Sequence, residues 1–188
     1  MKLIDFKNSF KGHHLNGYTL TYENKAGREK KYEMVSRNIL NDPTEIASKV
    51  NGVSIIGFKD DKMLLLKEFR MAVNRNIYNL CAGKLENGES YEECAARELY
   101  EETGLKIERV IDVLPPCYSA VAITDIKTVL LIVQLSGEIE DHTSENEEIT
   151  AGFYSKEEVK EMLATMPFSS RGQLAAYFFA NGMFDSFV

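Results

Sequence analysis

Residues 90–105, SYEECAARELYEETGL, constrain this chain more than any other stretch of similar length. Ser90 followed by Glu93 forms a capping box, which marks a helix start. Gly104 supplies the left-handed residue that ends a helix. Together they predict a helix over Tyr91–Thr103. At about 100° per residue, Tyr91, Cys94, Ala95 and Leu99 share one arc, while Glu92, Glu93, Ala96, Arg97, Tyr100 and Glu101 share the other. Glu98 and Glu102 fall inside the apolar arc. A solvated acidic face accounts for Glu92 and Glu93, but not for carboxylates that point where the core-facing side chains point. Half-buried carboxylates need partners. Arg97 can pair with Glu93 and Glu101 at i±4, yet it lies about 100° round from Glu98. Carboxylates at a helix C-terminus also oppose the macrodipole. A hard divalent cation resolves both conflicts, and Mg2+ takes few protein carboxylates, completing its shell with water and phosphate. The helix end reads as a metal platform.

The rest of the chain reads mainly as strands. Residues 18–24 and 28–36 alternate around Lys25-Ala26-Gly27 as a β-hairpin. Asn41-Asp42-Pro43 breaks the chain, dividing an N-terminal β segment (1–43) from a main domain (44–188). Gly52–Lys59 and Lys62–Arg70 flank Asp60-Asp61 as a second hairpin, and 77–83 is a short apolar run. Residues 107–114, 128–135 and Ile149–Tyr154 are strand-like, the second apolar enough for burial on both faces. Residues 156–166 and 171–179 read as helices capped by Ser155 and by Ser169 or Ser170. Strands punctuated by a few helices imply an α/β or α+β layered domain with a mixed sheet.

Charge and composition exclude several function classes. The net charge is −7, but residues 1–40 carry eight Lys and Arg against four acids, leaving −11 for the remainder. An acidic bulk argues against a nucleic-acid-binding surface. The basic N-terminal piece is either a solvated hairpin or a source of cations for a ligand or a second subunit, with Arg37 among them. No apolar run approaches the length of a membrane span, and MKLIDFKNSF lacks a signal-peptide apolar region. Cys81, Cys94 and Cys117 lack the spacing of a disulfide frame or zinc site, and read as reduced thiols of a cytoplasmic protein. His13, His14 and His142 read as solvated polar residues.

Gly83, Glu89 and Arg97-Glu98-Leu99-Tyr100-Glu101-Glu102-Thr103-Gly104-Leu105 resemble the Nudix box, GX5EX7REUXEEXGU with U aliphatic. Every specified position matches, a coincidence on the order of 10⁻⁹ at one site for average residue frequencies. Phe69-Arg70 and the run Asn79-Leu80-Cys81-Ala82-Gly83-Lys84-Leu85-Glu86 are similar to segments of the ADP-ribose pyrophosphatase branch of that family. So is the acidic loop Ser144-Glu145-Asn146-Glu147-Glu148 before a final strand. The chain departs from that branch at Asn79, where Glu is usual, and at Cys81, where Pro is usual. Residues 118–126 lack the branch's Ser-Pro-Gly…Glu loop, and the absence of Trp removes a Trp-based adenine clamp.

The resemblance implies an α/β/α sandwich and hydrolysis of a nucleoside diphosphate linked to another moiety, with ADP-ribose or a related nucleotide sugar as substrate. It implies Mg2+, or Mn2+ in its place, on Glu98 and Glu102 and the Ala82 carbonyl. Glu101 would be a ligand or support, Arg97 an orienter of the glutamates or else a surface ion pair, and Glu89 a loop support. Gly83 and Gly104 belong to the motif. Glu145 or Glu147 is the candidate general base, with Glu147 alternatively a metal ligand; from the residues alone that loop is equally an exposed acidic turn. Arg70 and Arg37 are the candidate substrate contacts. The branch also implies a homodimer that exchanges its N-terminal pieces. The alternatives are a Nudix-fold nucleotide sensor without significant hydrolysis, or a hydrolase of dinucleoside polyphosphates or nucleoside triphosphates.

Overall fold

The computed structural model describes residues 1–187. The chain divides into two compact units, residues 1–51 with 116–128, and residues 52–115 with 129–187. The Asn41-Asp42-Pro43 break lies inside the first unit, where Asp42 caps a single 3-10 turn, Pro43–Glu45.

The first unit is built on an antiparallel sheet of β1 (Lys2–Lys11), β2 (Asn16–Glu23) and β3 (Glu29–Ser36), in that order. The β2–β3 hairpin is the one its alternation predicts. Strand β1 is an addition. Register shifts between Leu3 and Asp5 and between Asn8 and Phe10 break its period of two, so no clean alternation shows in the sequence. Tyr18, Leu20, Met34 and Leu40 form this unit's small core, with Phe6 stacked on Tyr18 at 5.1 Å.

The second unit is a sheet covered on both faces. Strands β4 (Gly52–Lys59) and β5 (Lys62–Arg70) meet at Asp60-Asp61, both with positive φ, as a tight two-residue hairpin needs. Leu80 separates β6 (Arg75–Asn79) from β7 (Cys81–Lys84), so the expected run 77–83 is two strands. The first pairs with β5 and the second with β4. Helix α1 (Tyr91–Thr103) and β8 (Lys106–Val113) follow. The short β9 (Cys117–Tyr118), in the first unit, pairs with the start of β10 (Lys127–Ser136). The strand path is β11-β5-β4-β10-β8, where β11 is Ile149–Tyr154.

Alternation along β5 assigns its faces. Met63 and Leu65 join the core beneath α2 (Lys156–Thr165) and α3 (Ser170–Ala180), with Phe58, Ile132, Val159 and Phe179. Leu64, Leu66 and Glu68 point the other way, the face that α1 covers through its contacts with β4, β7, β8 and β11. The result is an α/β/α sandwich. Ser155 and Ser169 are the N-caps of the two later helices.

Candidate active site

The site grows from how α1 is held. The Ser90 hydroxyl accepts the Glu93 N–H, and Glu93 returns the bond to the Ser90 N–H at 2.8 Å. At the far end Gly104 adopts φ 74° and donates to the Tyr100 carbonyl at 2.8 Å. Both caps fix the rotation of the helix about its axis, and rotation decides where each glutamate goes. Cys94, Ala95, Leu99 and Thr103 are buried, and Glu98 and Glu102 are half-buried on that same side.

Glu98 lies across Gly83 on β7. A Cβ there would sit 1.7 Å from the Glu98 carboxyl carbon, so the close approach requires glycine. Glu102 accepts the Ala82 N–H at 3.3 Å, which brings its carboxylate against the Ala82 peptide. Burial lifts the Glu102 carboxyl to about 7, and the charges of Glu98 and Glu68 push it the same way. Burial also raises Glu98, against the pull of Arg97. Buried Cys81 lies beside Glu102, and its thiol is pushed far up by desolvation and by that carboxylate.

Arg97 is the organiser. Its Nε and Nη2 donate to the two oxygens of Glu89 at 2.9 and 3.0 Å, and Nη2 also donates to the Lys84 carbonyl at 3.0 Å. Nη1 donates to Glu98 at 2.8 Å and to Glu101 at 3.3 Å. The pairing with Glu98 corrects the helical-wheel expectation: a long guanidinium spans the 100° between neighbours that Cβ directions separate. Glu93 is taken by the capping box instead. The Arg97 fork holds Glu89 at about 2, helped by the Glu86 N–H that donates to it at 3.0 Å. Five bonds to one guanidinium that is 27% exposed are not a loose surface pair.

The other sequence candidates, and two further titratable residues, Asp125 and His142, are placed differently. Glu101 is mostly exposed and touches Arg97 alone among them. Glu145 and Glu147 lie in an exposed loop, where Ser144 donates to Glu147 at 3.0 Å. That loop is tied to β5 through the Phe69 N–H, which donates to the Glu148 carbonyl at 3.0 Å. Arg70 ends β5. Arg37 is exposed just after β3, in the first unit. Asp125, also in the first unit, is buried and accepts the Ala47 N–H at 3.2 Å. His142 sits at the end of α1, in hydrogen-bond reach of the Tyr100 carbonyl and of Glu140.

Sequence reasoning missed Glu68. Its side chain is 8% exposed and accepts hydrogen bonds from Asn79 Nδ2 at 2.5 Å and Arg70 Nη1 at 3.3 Å. The signal was available: Glu68 follows Leu64 and Leu66 at the strand period, so the argument that singled out Glu98 applies to it.

Among the described residues no group of three His, Cys, Asp or Glu side chains is arranged to hold a metal ion by itself. The donor set nonetheless fits Mg2+, which binds through one or two carboxylates plus water and substrate phosphate. Both half-buried carboxylates have raised proton affinity, Glu102 partly through the charge of Glu98, and of the two Arg97 reaches only Glu98.

The family model of the NUDIX domain matches residues 48–177. An ADP-ribose pyrophosphatase of Bacillus subtilis is 39% identical over 67 residues, covering 35% of this chain and 36% of its own length. An ADP-ribose pyrophosphatase of Saccharomyces cerevisiae is 28% identical over 122 residues, covering 62% of this chain and 50% of its own. The chain thus spans half or less of the length of these two relatives. A crystal structure described as an ADP compounds hydrolase superposes with a TM-score of 0.77 at 19% identity, covering 98% of this chain and 94% of the other, a likeness of fold. With the box glutamates gathered at the end of α1 and the family model matched across most of its length, this chain belongs to the NUDIX domain family.

Proposed function

We propose that the chain is a Mg2+-dependent hydrolase that splits the pyrophosphate bond of a nucleoside diphosphate linked to another moiety, with ADP-ribose or a related nucleotide sugar as substrate. The observation that carries this reading is the pair Glu98 and Glu102, half-buried against the Ala82–Gly83 backbone and locked from one side by Arg97. The names of the two pyrophosphatase relatives support the substrate class.

A pyrophosphate resists attack because its anionic oxygens repel nucleophiles. A divalent cation, when bound, neutralises that charge and acidifies a water. Glu98, Glu102 and the Ala82 carbonyl are the groups that would hold it. The residues of the chain do the rest. Arg97 holds Glu98 in one rotamer while bracing it on Glu89, so the platform is preorganised before substrate arrives. Arg70 and Arg37 are the proposed phosphate contacts. Glu145 or Glu147 is the proposed base that takes a proton from the attacking water; the tie of its loop to β5 keeps it near the strand that carries Glu68.

The chain is further read as a cytoplasmic homodimer. Three free thiols agree with a reducing compartment. Incubation with Mg2+ and a panel of ADP-ribose, other nucleotide sugars, dinucleoside polyphosphates and nucleoside triphosphates tests the reading. Release of AMP from ADP-ribose above all others is expected. Binding without turnover of any compound would leave a sensor.

A further inference from the structure

Charge reverses sign along one face of β5. Glu68 lies close enough to Glu102 for its charge to raise that carboxyl. Arg70 follows two residues on, so it shares the face of Glu68 and donates to it at 3.3 Å. Directly across the ladder, Arg70 stands opposite Arg75 on β6. Residues paired this way point to the same side with Cβ atoms about 5 Å apart, and like charges there repel. Arg75 is exposed and, among the described residues, forms no ion pair. The cost is notable because the unit holds twelve Lys and Arg against twenty-two Asp and Glu, so acidic partners are plentiful.

Two arginines paired across the ladder on one face of the sheet, beside the proposed platform for a cation, suit an anion with several oxygens. Arginine's planar fork matches phosphate in two-pronged fashion. We propose that Arg70 and Arg75 clamp the phosphates of the ligand, with Glu68 as the positioning residue that aims Arg70. Glu68 is itself fixed from behind. Asn79 Nδ2 donates to it at 2.5 Å, and Asn79 Oδ1 accepts the hydroxyl of Ser169, the cap of α3, at 2.5 Å. Arg70 is therefore anchored through Glu68 and Asn79 to the start of a helix, while Arg75 is free to close on the other side. This rests on the reading that the ligand carries a diphosphate, but not on turnover.

Calorimetric titration of ADP in EDTA, where no divalent cation contributes, tests it. Arg75→Gln should weaken ADP binding about tenfold, the scale of one charge-assisted contact, with its thermal midpoint unchanged because the side chain is exposed. Glu68→Gln should weaken ADP in the wild-type background and have no further effect in an Arg70→Gln background. Wild-type protein that does not bind ADP, or an Arg75→Gln affinity within about twofold of wild type, overturns the clamp. An equal loss from Glu68→Gln in both backgrounds overturns its positioning role. A wild type that turns over none of the panel yet shows these ADP effects would sink the hydrolytic reading and leave the clamp standing.

Discussion

At the scale of single residues, the site is an argument about where a carboxylate is permitted. Glu102 is half-buried with one backbone donor, the Ala82 N–H, so its charge is undercompensated, which is the ground for proposing it as a cation ligand. Glu102→Gln keeps the shape and removes the charge; turnover is expected to fall by about a hundredfold or more, while the far-ultraviolet circular dichroism stays that of the wild type. Near-normal turnover would remove Glu102 from the platform. Arg97 makes a different demand. Lys cannot reproduce a fork that grips both oxygens of Glu89 and also reaches Glu98. Arg97→Lys should lower kcat and also the thermal midpoint; a variant with unchanged kcat would reduce Arg97 to structural support. The glutamates of the helix were legible in the sequence because a 3.6-residue period sorts side chains into faces. What Arg97 does was not, because the period locates a Cβ and says nothing of where a long side chain ends. Glu68 escaped for another reason. Its inward direction was legible from the strand period, but its partner Asn79 reaches it across a ladder whose register only the folded sheet reveals, while Arg70 reaches it along the same strand.

Elements set what those residues can reach. Helix α1 and the β4–β5 hairpin carry strong local signals (a capping box and a two-residue turn), and the structure has them, and the strand-like β11, with the expected bounds. Strand β1 carries none, since its two irregularities destroy the alternation and its pairing with β2 is a tertiary choice. The contact between α1 and β7 is the tightest constraint at this scale. Gly83→Ala would drive a methyl into Glu98, displacing either the carboxylate or the strand. A loss of about 1–3 kcal/mol in chemical denaturation is expected, as for overpacked sites, together with weaker activation by Mg2+. Unchanged stability and Mg2+ response would mean that the two elements part easily. The capping box of α2 gives a pH test remote from the site. Bonds from the Ser155 N–H and hydroxyl lower the Glu158 carboxyl below its usual 4.5. A lowered folded-state value means the contribution is present above 4.5 and is lost as pH falls through the folded value. Glu158→Gln should therefore cost stability at neutral pH and cost progressively less under acid, converging with wild type once the pH lies below the lowered folded-state value; parallel curves from neutral pH into acid would refute the box as the source.

Over the whole molecule, charge is segregated between the two units. The first carries ten Lys and Arg against seven Asp and Glu, and the second twelve against twenty-two. The opposite signs make an acidic surface of a second copy a proposed partner for the basic sheet. In the proposed two-fold exchange each basic sheet would face the acidic unit of the other copy. The first unit also leaves apolar side chains in the open: Ile4 and Phe10 on β1, and Val121 and Ile123 in residues 116–128, are 45–72% exposed. An interface that combines such side chains with opposite charge should respond to salt through its electrostatic part alone. Sedimentation velocity at micromolar concentration is expected to show a dimer in low salt. At about 1 M salt, where the Debye length falls to about 3 Å, the dimer should weaken without dissociating fully. Charge reversal of the β3 lysines, Lys30→Glu with Lys31→Glu, should move the low-salt equilibrium toward monomer, because both residues are exposed and contribute nothing to the small core of their own unit. A strictly monomeric wild type would overturn the exchange, and a dimer indifferent to both salt and charge reversal would show that apolar contact, not the charge segregation, holds the two copies together.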